Sequence, residues 1–129
     1  MAENFHIKSI PEEYYKTILR VSIDGFWITD LQGHFLEVND SYCRLIGYSR
    51  DELLKMEVSE IEAGEKPEEV KQRIDKIIKF GADQFETHHR RKDGKIVDIE
   101  VSVNYAKEDG GFFLYSSATL ASTKKQRRQ

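Results

Sequence analysis

Lys92-Asp93-Gly94-Lys95-Ile96-Val97-Asp98-Ile99-Glu100-Val101-Ser102-Val103-Asn104 is the stretch whose reading decides the fold class. Its Asp-Gly pair signals a tight hairpin turn, because both central positions of such a turn favour residues that tolerate positive φ. After the turn, Val97, Ile99, Val101 and Val103 alternate with Asp98, Glu100, Ser102 and Asn104. Successive side chains of a strand point to opposite faces, so this strand has one apolar and one polar face. Upstream, Phe85–Arg91 reads as its hairpin partner. Downstream, Glu108-Asp109-Gly110-Gly111 is a second turn and Phe112–Thr119 a further strand.

Toward the N-terminus the period changes. Pro67 opens a helix with Val70, Ile74, Ile77 and Ile78 on one face, Lys71, Arg73, Asp75 and Lys76 on the other, and Gly81 at its end. Residues 50 to 69 hold few large apolar side chains and many acids, which predicts short exposed turns. Ser49 and Glu52 form a capping box for a helix to about Met56. Asn39 or Asp40 caps a short helix that stops at Gly47. Before it, Gly25–Asp30 and Phe35–Val38 read as strands around a turn at Gly33. Ser9 and Glu12 cap a first helix bearing Tyr14, Tyr15, Ile18 and Leu19. Two strands, a run of helices and three strands predict an α+β fold: a five-stranded antiparallel sheet with helices on one face, its first and last strands side by side.

The chain has 129 residues, one domain's worth, with 20 basic and 23 acidic side chains and a net charge of −3. The last six residues hold four of the basic charges, so the rest is distinctly acidic. That balance argues against specific nucleic-acid binding, and no apolar run is long enough for membrane insertion. A single cysteine, Cys43, excludes an internal disulfide and fits a cytoplasmic location. It reads as a small buried apolar thiol.

No nucleophile elbow, phosphate loop or calcium loop occurs, so no catalytic residue is assigned and enzymatic chemistry is not expected. Glu60, Glu62, Glu65, Glu68 and Glu69 read as a solvated acidic surface. His88 and His89 are adjacent on a strand, point to opposite faces and cannot share one metal, so no metal site is expected. The run His88 to Lys92 reads as a wet hairpin edge.

Three sets of words resemble the PAS domain family of sensory modules. They are Asp24-Gly25-Phe26-Trp27-Ile28-Thr29-Asp30, then Tyr42-Cys43-Arg44-Leu45-Ile46-Gly47-Tyr48-Ser49 following Asn39, and Phe85-Glu86 with Arg90-Arg91-Lys92-Asp93-Gly94. The resemblance covers residues 10–121, leaving 1–9 as an N-terminal arm and 122–129 as a basic tail or the start of a linker. It implies a sheet and helices folded over a small pocket, which binds a ligand or supports dimerisation and relays a conformational signal to an effector. The effectors of such modules include histidine kinases of two-component systems. The chain thus reads as a sensor within a larger signalling protein. A ligand-free homodimerisation module and a small α+β enzyme are the alternatives. The family's usual Asp-Ile-Thr ending is replaced here by Thr119-Leu120-Ala121.

By the same resemblance the pocket is expected to be lined by Phe26, Ile28, Asn39, Tyr42, Ile46, Ile74, Ile78, Phe85, His89, Val101 and Phe113. The opposite strand parity would bring in Trp27 and His88 instead of their neighbours. A homodimer is expected through Tyr14, Tyr15, Ile18 and Leu19. The ligand is unknown. A haem ligated from the long helix is not expected, because Pro67–Phe80 has no histidine. A covalent flavin–cysteine adduct is not expected either, since its cysteine word is missing. A non-covalent flavin or a small metabolite stays open.

Overall fold

A computed structural model describes residues 24–119. The arm at 1–9, the first helix with its dimer candidates Tyr14, Tyr15, Ile18 and Leu19, and the basic tail lie outside the described residues.

Within them the order is β1 (Gly25–Asp30), β2 (Phe35–Val38), α1 (Asp40–Ile46), α2 (Arg50–Leu53), a 3-10 turn (Val58–Glu60), α3 (Pro67–Phe80), β3 (Ala82–Arg90), β4 (Ile96–Ala106), a 3-10 turn (Glu108–Gly110) and β5 (Phe112–Thr119). The five strands form one sheet in the order β2-β1-β5-β4-β3, with every pair antiparallel. The fold is thus the α+β arrangement expected from the sequence, with β1 beside β5. Trp27 pairs with Tyr115, Tyr115 with Val103, and Val101 with Phe85. Register therefore carries one apolar stripe across four strands, and the helices pack on that inner face.

The helix ends follow their capping residues. Asn39 Oδ1 accepts 3.0 Å hydrogen bonds from the N–H groups of Tyr42 and Phe26, and its Nδ2 donates to Asp24 O. One side chain thereby caps α1 and ties it to β1. Gly47 and Gly81 close α1 and α3 with φ of 84° and 87°, where a Cβ would be strained. The capping box at Ser49 and Glu52 is present, but α2 stops at Leu53 rather than continuing to Met56.

The stretch 50–69 corrects the sequence reading most. Leu53 and Ile61 are fully buried core residues, not members of a purely exposed run of turns. Residues 56–63 act as a strap that joins the two edges of the sheet. Phe35 N–H donates to Met56 O and Val58 N–H to Gly33 O at the β2 edge. Ala63 N–H donates to His88 O and Arg90 N–H to Ile61 O at the β3 edge. Unpaired strand edges invite association, and here both are partly covered by one segment. The strap also draws the two edges together over the inner face. No helix among the described residues is long and apolar enough to cross a membrane.

Candidate functional site

Between α3, the strap and the inner face of the sheet lies a cavity. Its walls come from Trp27, Tyr115, Phe113 and Val101 of the sheet, Phe85 and His89 of β3, Val58, Ser59 and Glu62 of the strap, and Val70, Arg73 and Ile74 of α3, with Gly33 and Glu65 at the margin. The space open to the centres of water-sized molecules is about 40 Å³. A water needs roughly 10–15 Å³ by that measure, so a few waters or a small organic molecule fit.

One side of the cavity is a polar network. Tyr42 is wholly buried behind His89, and its hydroxyl lies 2.9 Å from His89 Nδ1. His89 Nε2 lies 3.7 Å from Glu62 Oε1. Glu62 also accepts hydrogen bonds from Thr87 Oγ1 and from Gly64 N–H. A carboxylate only accepts, so His89 Nε2 carries a proton toward Glu62, and in the neutral ring Nδ1 accepts from the Tyr42 hydroxyl. Burial raises the pKa of the Glu62 carboxyl. The bonds from His89 and Thr87, the His89 charge and the Gly64 N–H outweigh that and hold it below the ordinary value of 4.5. Burial, reinforced by the Glu62 charge, pushes the Tyr42 phenol well above its ordinary range, so Tyr42 remains a neutral donor. Burial likewise lifts Tyr115 to about 12.

Opposite this network, the Arg73 guanidinium sits 3.6 Å from the Phe85 ring centroid and is ion-paired to Glu65 and Asp83. Its charge is thus already engaged. Trp27 is sandwiched by Tyr42 at 4.3 Å and Tyr115 at 5.1 Å, so only the rim of the indole is left to meet the cavity. Its Nε1 is buried and has no hydrogen-bond partner. Buried donors normally have one, so this atom carries the cost of an unpaired polar group.

Of the residues expected at the pocket, Ile74, Phe85, His89, Val101 and Phe113 line the cavity. Tyr42 stands one layer behind, joined through His89. Asn39 and Ile46 are buried at the cap and core of α1 and do not reach the wall. Phe26 and Ile28 point to the outer face, where they cluster with Phe112. Ile78 is 39% exposed, and its neighbour Ile77 takes the inward position. The parity question resolves separately for each strand: Trp27 faces inward on β1, yet so does His89, not His88, on β3.

Trp27 aside, Glu62, Arg73 and Tyr115 are cavity residues that the sequence reading did not select. Glu62 is no solvated surface acid, for its side chain is only 10% exposed. The spacing Thr87-x-His89, which puts two polar side chains on the inner face of a strand, is the one sequence signal that a buried acid would need to face them. The basic run beyond His89 is also more engaged than a wet edge. Arg91 donates to Leu45 O, and Lys92 pairs with Glu52 at 2.6 Å. Cys43 packs half-buried against the core, away from the cavity, and its thiol pKa is raised by burial and by Asp40. Such a thiol is a poor nucleophile at neutral pH.

The sequence pattern of the family described as "PAS domain" matches residues 23–118. The probable diguanylate cyclase DgcE of Escherichia coli K12 is 24% identical over 121 residues, which cover 92% of this chain and 11% of that protein. The methyl sulfide methyltransferase-associated sensor of Methanosarcina acetivorans is 28% identical over 106 residues, covering 81% and 11%. The chain therefore spans about a ninth of the length of these curated relatives. A domain of the sensory box sensor histidine kinase/response regulator from Geobacter sulfurreducens superposes with a TM-score of 0.66 at 25% identity, covering 90% of this chain and 98% of that one.

Proposed function

The chain belongs to the PAS domain family, and from that premise we propose that it senses a small ligand held between α3 and the inner face of the sheet, and relays the event to an effector of a larger signalling protein. The observation that carries this is the cavity itself: a largely apolar enclosure bordered by the Tyr42–His89–Glu62 network. A ligand shifts a signal only by binding one arrangement better than another. Both α3 and the strap contribute walls, and α3 leads directly into β3 through Gly81. A change in how α3 sits would thus reach the sheet.

The relatives named above support a signalling context, whether cyclase, kinase or other sensor. A small metabolite suits the cavity better than a flavin, whose three-ring system would require α3 and the strap to separate. Homodimerisation through Tyr14, Tyr15, Ile18 and Leu19 is a compatible part of this proposal, supported by their helical spacing.

The test is native mass spectrometry and an absorption spectrum of freshly purified protein, followed by hydrogen exchange with and without candidate small metabolites. Added mass, or ligand-dependent protection of α3 amides, is the expected result. A protein at its bare mass, colourless, with α3 exchange unmoved by every compound, would favour the ligand-free dimerisation module.

A further inference from the structure

We propose that Arg73 is the gate of the cavity, closed while it pairs with Glu65 and open when it swings outward onto Asp83. This rests on the proposed function, because it presupposes that the cavity receives a ligand.

Beside the cavity runs an open groove lined by Glu65, Glu69, Gln72, Arg73, Lys76 and Asp83. Glu65 and Arg73 line the cavity as well, so the two spaces meet at this ion pair. Elsewhere the walls are fastened by main chain. The strap is bonded to both sheet edges through the N–H groups of Val58, Ala63 and Arg90, and α3 is held by its own helical ladder. Moving either breaks backbone hydrogen bonds. The Arg73–Glu65 contact is made by side chains alone, whose rotations are faster than any displacement of a helix. Arg73 also has a second partner in reach. Its Nε donates to Glu65 Oε1 at 3.0 Å and its Nη2 to Glu65 Oε2, which makes a fork. Its Nη1 stands 3.5 Å from Asp83 Oδ2, and Asp83 lines the groove rather than the cavity. Lys76 Nζ, 3.5 Å from Asp83 Oδ1, steadies that carboxylate. The Phe85 ring, 3.6 Å from the guanidinium carbon, offers a flat surface on which the cation can slide from one acid to the other. The Arg73, Glu65 and Asp83 side chains are 21%, 16% and 12% exposed, so water weakens these pairs less than it would at an open surface. One guanidinium shared by two acids is a two-position element, and the outer position opens the way in.

Benzene is the probe, because it is small and apolar and carries no charge for either acid to attract or repel. Its uptake is followed through the Ile74 and Val101 methyl resonances of the cavity wall, and its entry and exit rates through their line shapes. Glu65→Gln removes the charge that holds the gate shut and is expected to raise the entry rate roughly tenfold. Asp83→Asn removes the outer partner and is expected to lower it about threefold. Exit changes by the same factor as entry in each variant, so Kd stays that of the wild type. A merely structural role for the cluster would loosen α3 in both variants and raise both rates. Should Glu65→Gln not fold, Arg73→Met is expected to admit benzene rapidly and to make entry indifferent to Asp83→Asn.

Entry that fails to quicken in Glu65→Gln, or fails to slow in Asp83→Asn, overturns the gate and leaves the ligand-binding cavity standing. A slowing by Asp83→Asn that persists in Arg73→Met overturns it too, since the acid would then act without the arginine. If benzene moves neither methyl resonance in the wild type, the gate falls together with the cavity reading.

Discussion

On the outer face of the sheet the His88 side chain is 48% exposed and pairs with Asp98 across the β3–β4 ladder. One residue further along β3, on the inner face, the His89 side chain is 2% exposed between Tyr42 and Glu62. The two faces differ more widely than this pair. The outer face is apolar under β2, β1 and β5, where Phe26, Ile28 and Phe112 cluster with Leu36 and Leu114. Under β3 and β4 it carries Glu86, Arg90, Asp98 and Asn104 in the open. The inner face is mostly apolar, and Tyr42, His89, Glu62 and Thr87 are joined to one another there. A charge pair in water is screened and contributes little. A polar group removed from the inner face leaves partners that water cannot reach. Position relative to the sheet, rather than residue type, decides what each histidine contributes.

Substitutions on the two faces should separate accordingly. The largest effect is expected from Trp27→Ala, which empties the centre of the inner core at a cost of about 3–5 kcal/mol in urea unfolding. Leu36→Ala, at the half-buried margin of the outer cluster, should cost clearly less. Equal losses would erase the distinction between the faces.

Next comes the strap. A Cβ on Gly64 would stand 2.7 Å from Thr87 Oγ1 and 3.0 Å from His88 N. Gly64→Ala is expected to cost roughly 1–3 kcal/mol and to speed amide exchange at Ala63 and Arg90, which bond across that edge. Unchanged exchange there would mean that the strap is not pinned at β3.

Glu62→Gln is expected to cost about 1–3 kcal/mol at neutral pH by weakening the bonds of Thr87, Gly64 and His89. The Glu62 carboxyl has a lower pKa folded than unfolded. The unfolded chain then binds more protons, so this contribution is present above the ordinary value of 4.5 and is lost as pH falls through the lower, folded value. The gap between wild type and Glu62→Gln should accordingly narrow on acidification below that point. A gap constant through the acid range would show that the carboxylate charge is not what Thr87 and Gly64 hold.

The smallest effect belongs to the outer pair. His88→Ala should change stability by no more than about 1 kcal/mol and lose even that at high salt. A larger, salt-independent loss would place His88 among the structural groups of the inner face.

Much of this architecture was legible in residues 92–104, because alternation with period two and an Asp-Gly turn are local properties. The same holds for α3, whose apolar spacing and terminal glycine fixed both its inward stripe and its end. Ile78 was the exception, since two adjacent isoleucines cannot both face inward and the pattern does not say which one does. β1 was harder. Phe26, Trp27 and Ile28 are all apolar, so alternation carries no parity there; the register with Tyr115 settles that Trp27 faces inward. Leu53 and Ile61 were obscured by acidic neighbours. Glu62 was misread for a related reason: its burial depends on Thr87 and His89, which are 25 and 27 positions away.

By itself the sequence determined the elements, the antiparallel sheet with its first and last strands adjacent, and the cap at Ser49, while leaving that of α1 between Asn39 and Asp40. These rest on periodicity and on hydrogen bonds among near neighbours. Only the tertiary structure decided which apolar face became the cavity, that the strap ties both sheet edges, and that Trp27 Nε1 is left without a partner. Those outcomes depend on which distant groups meet and on how little water is left between them.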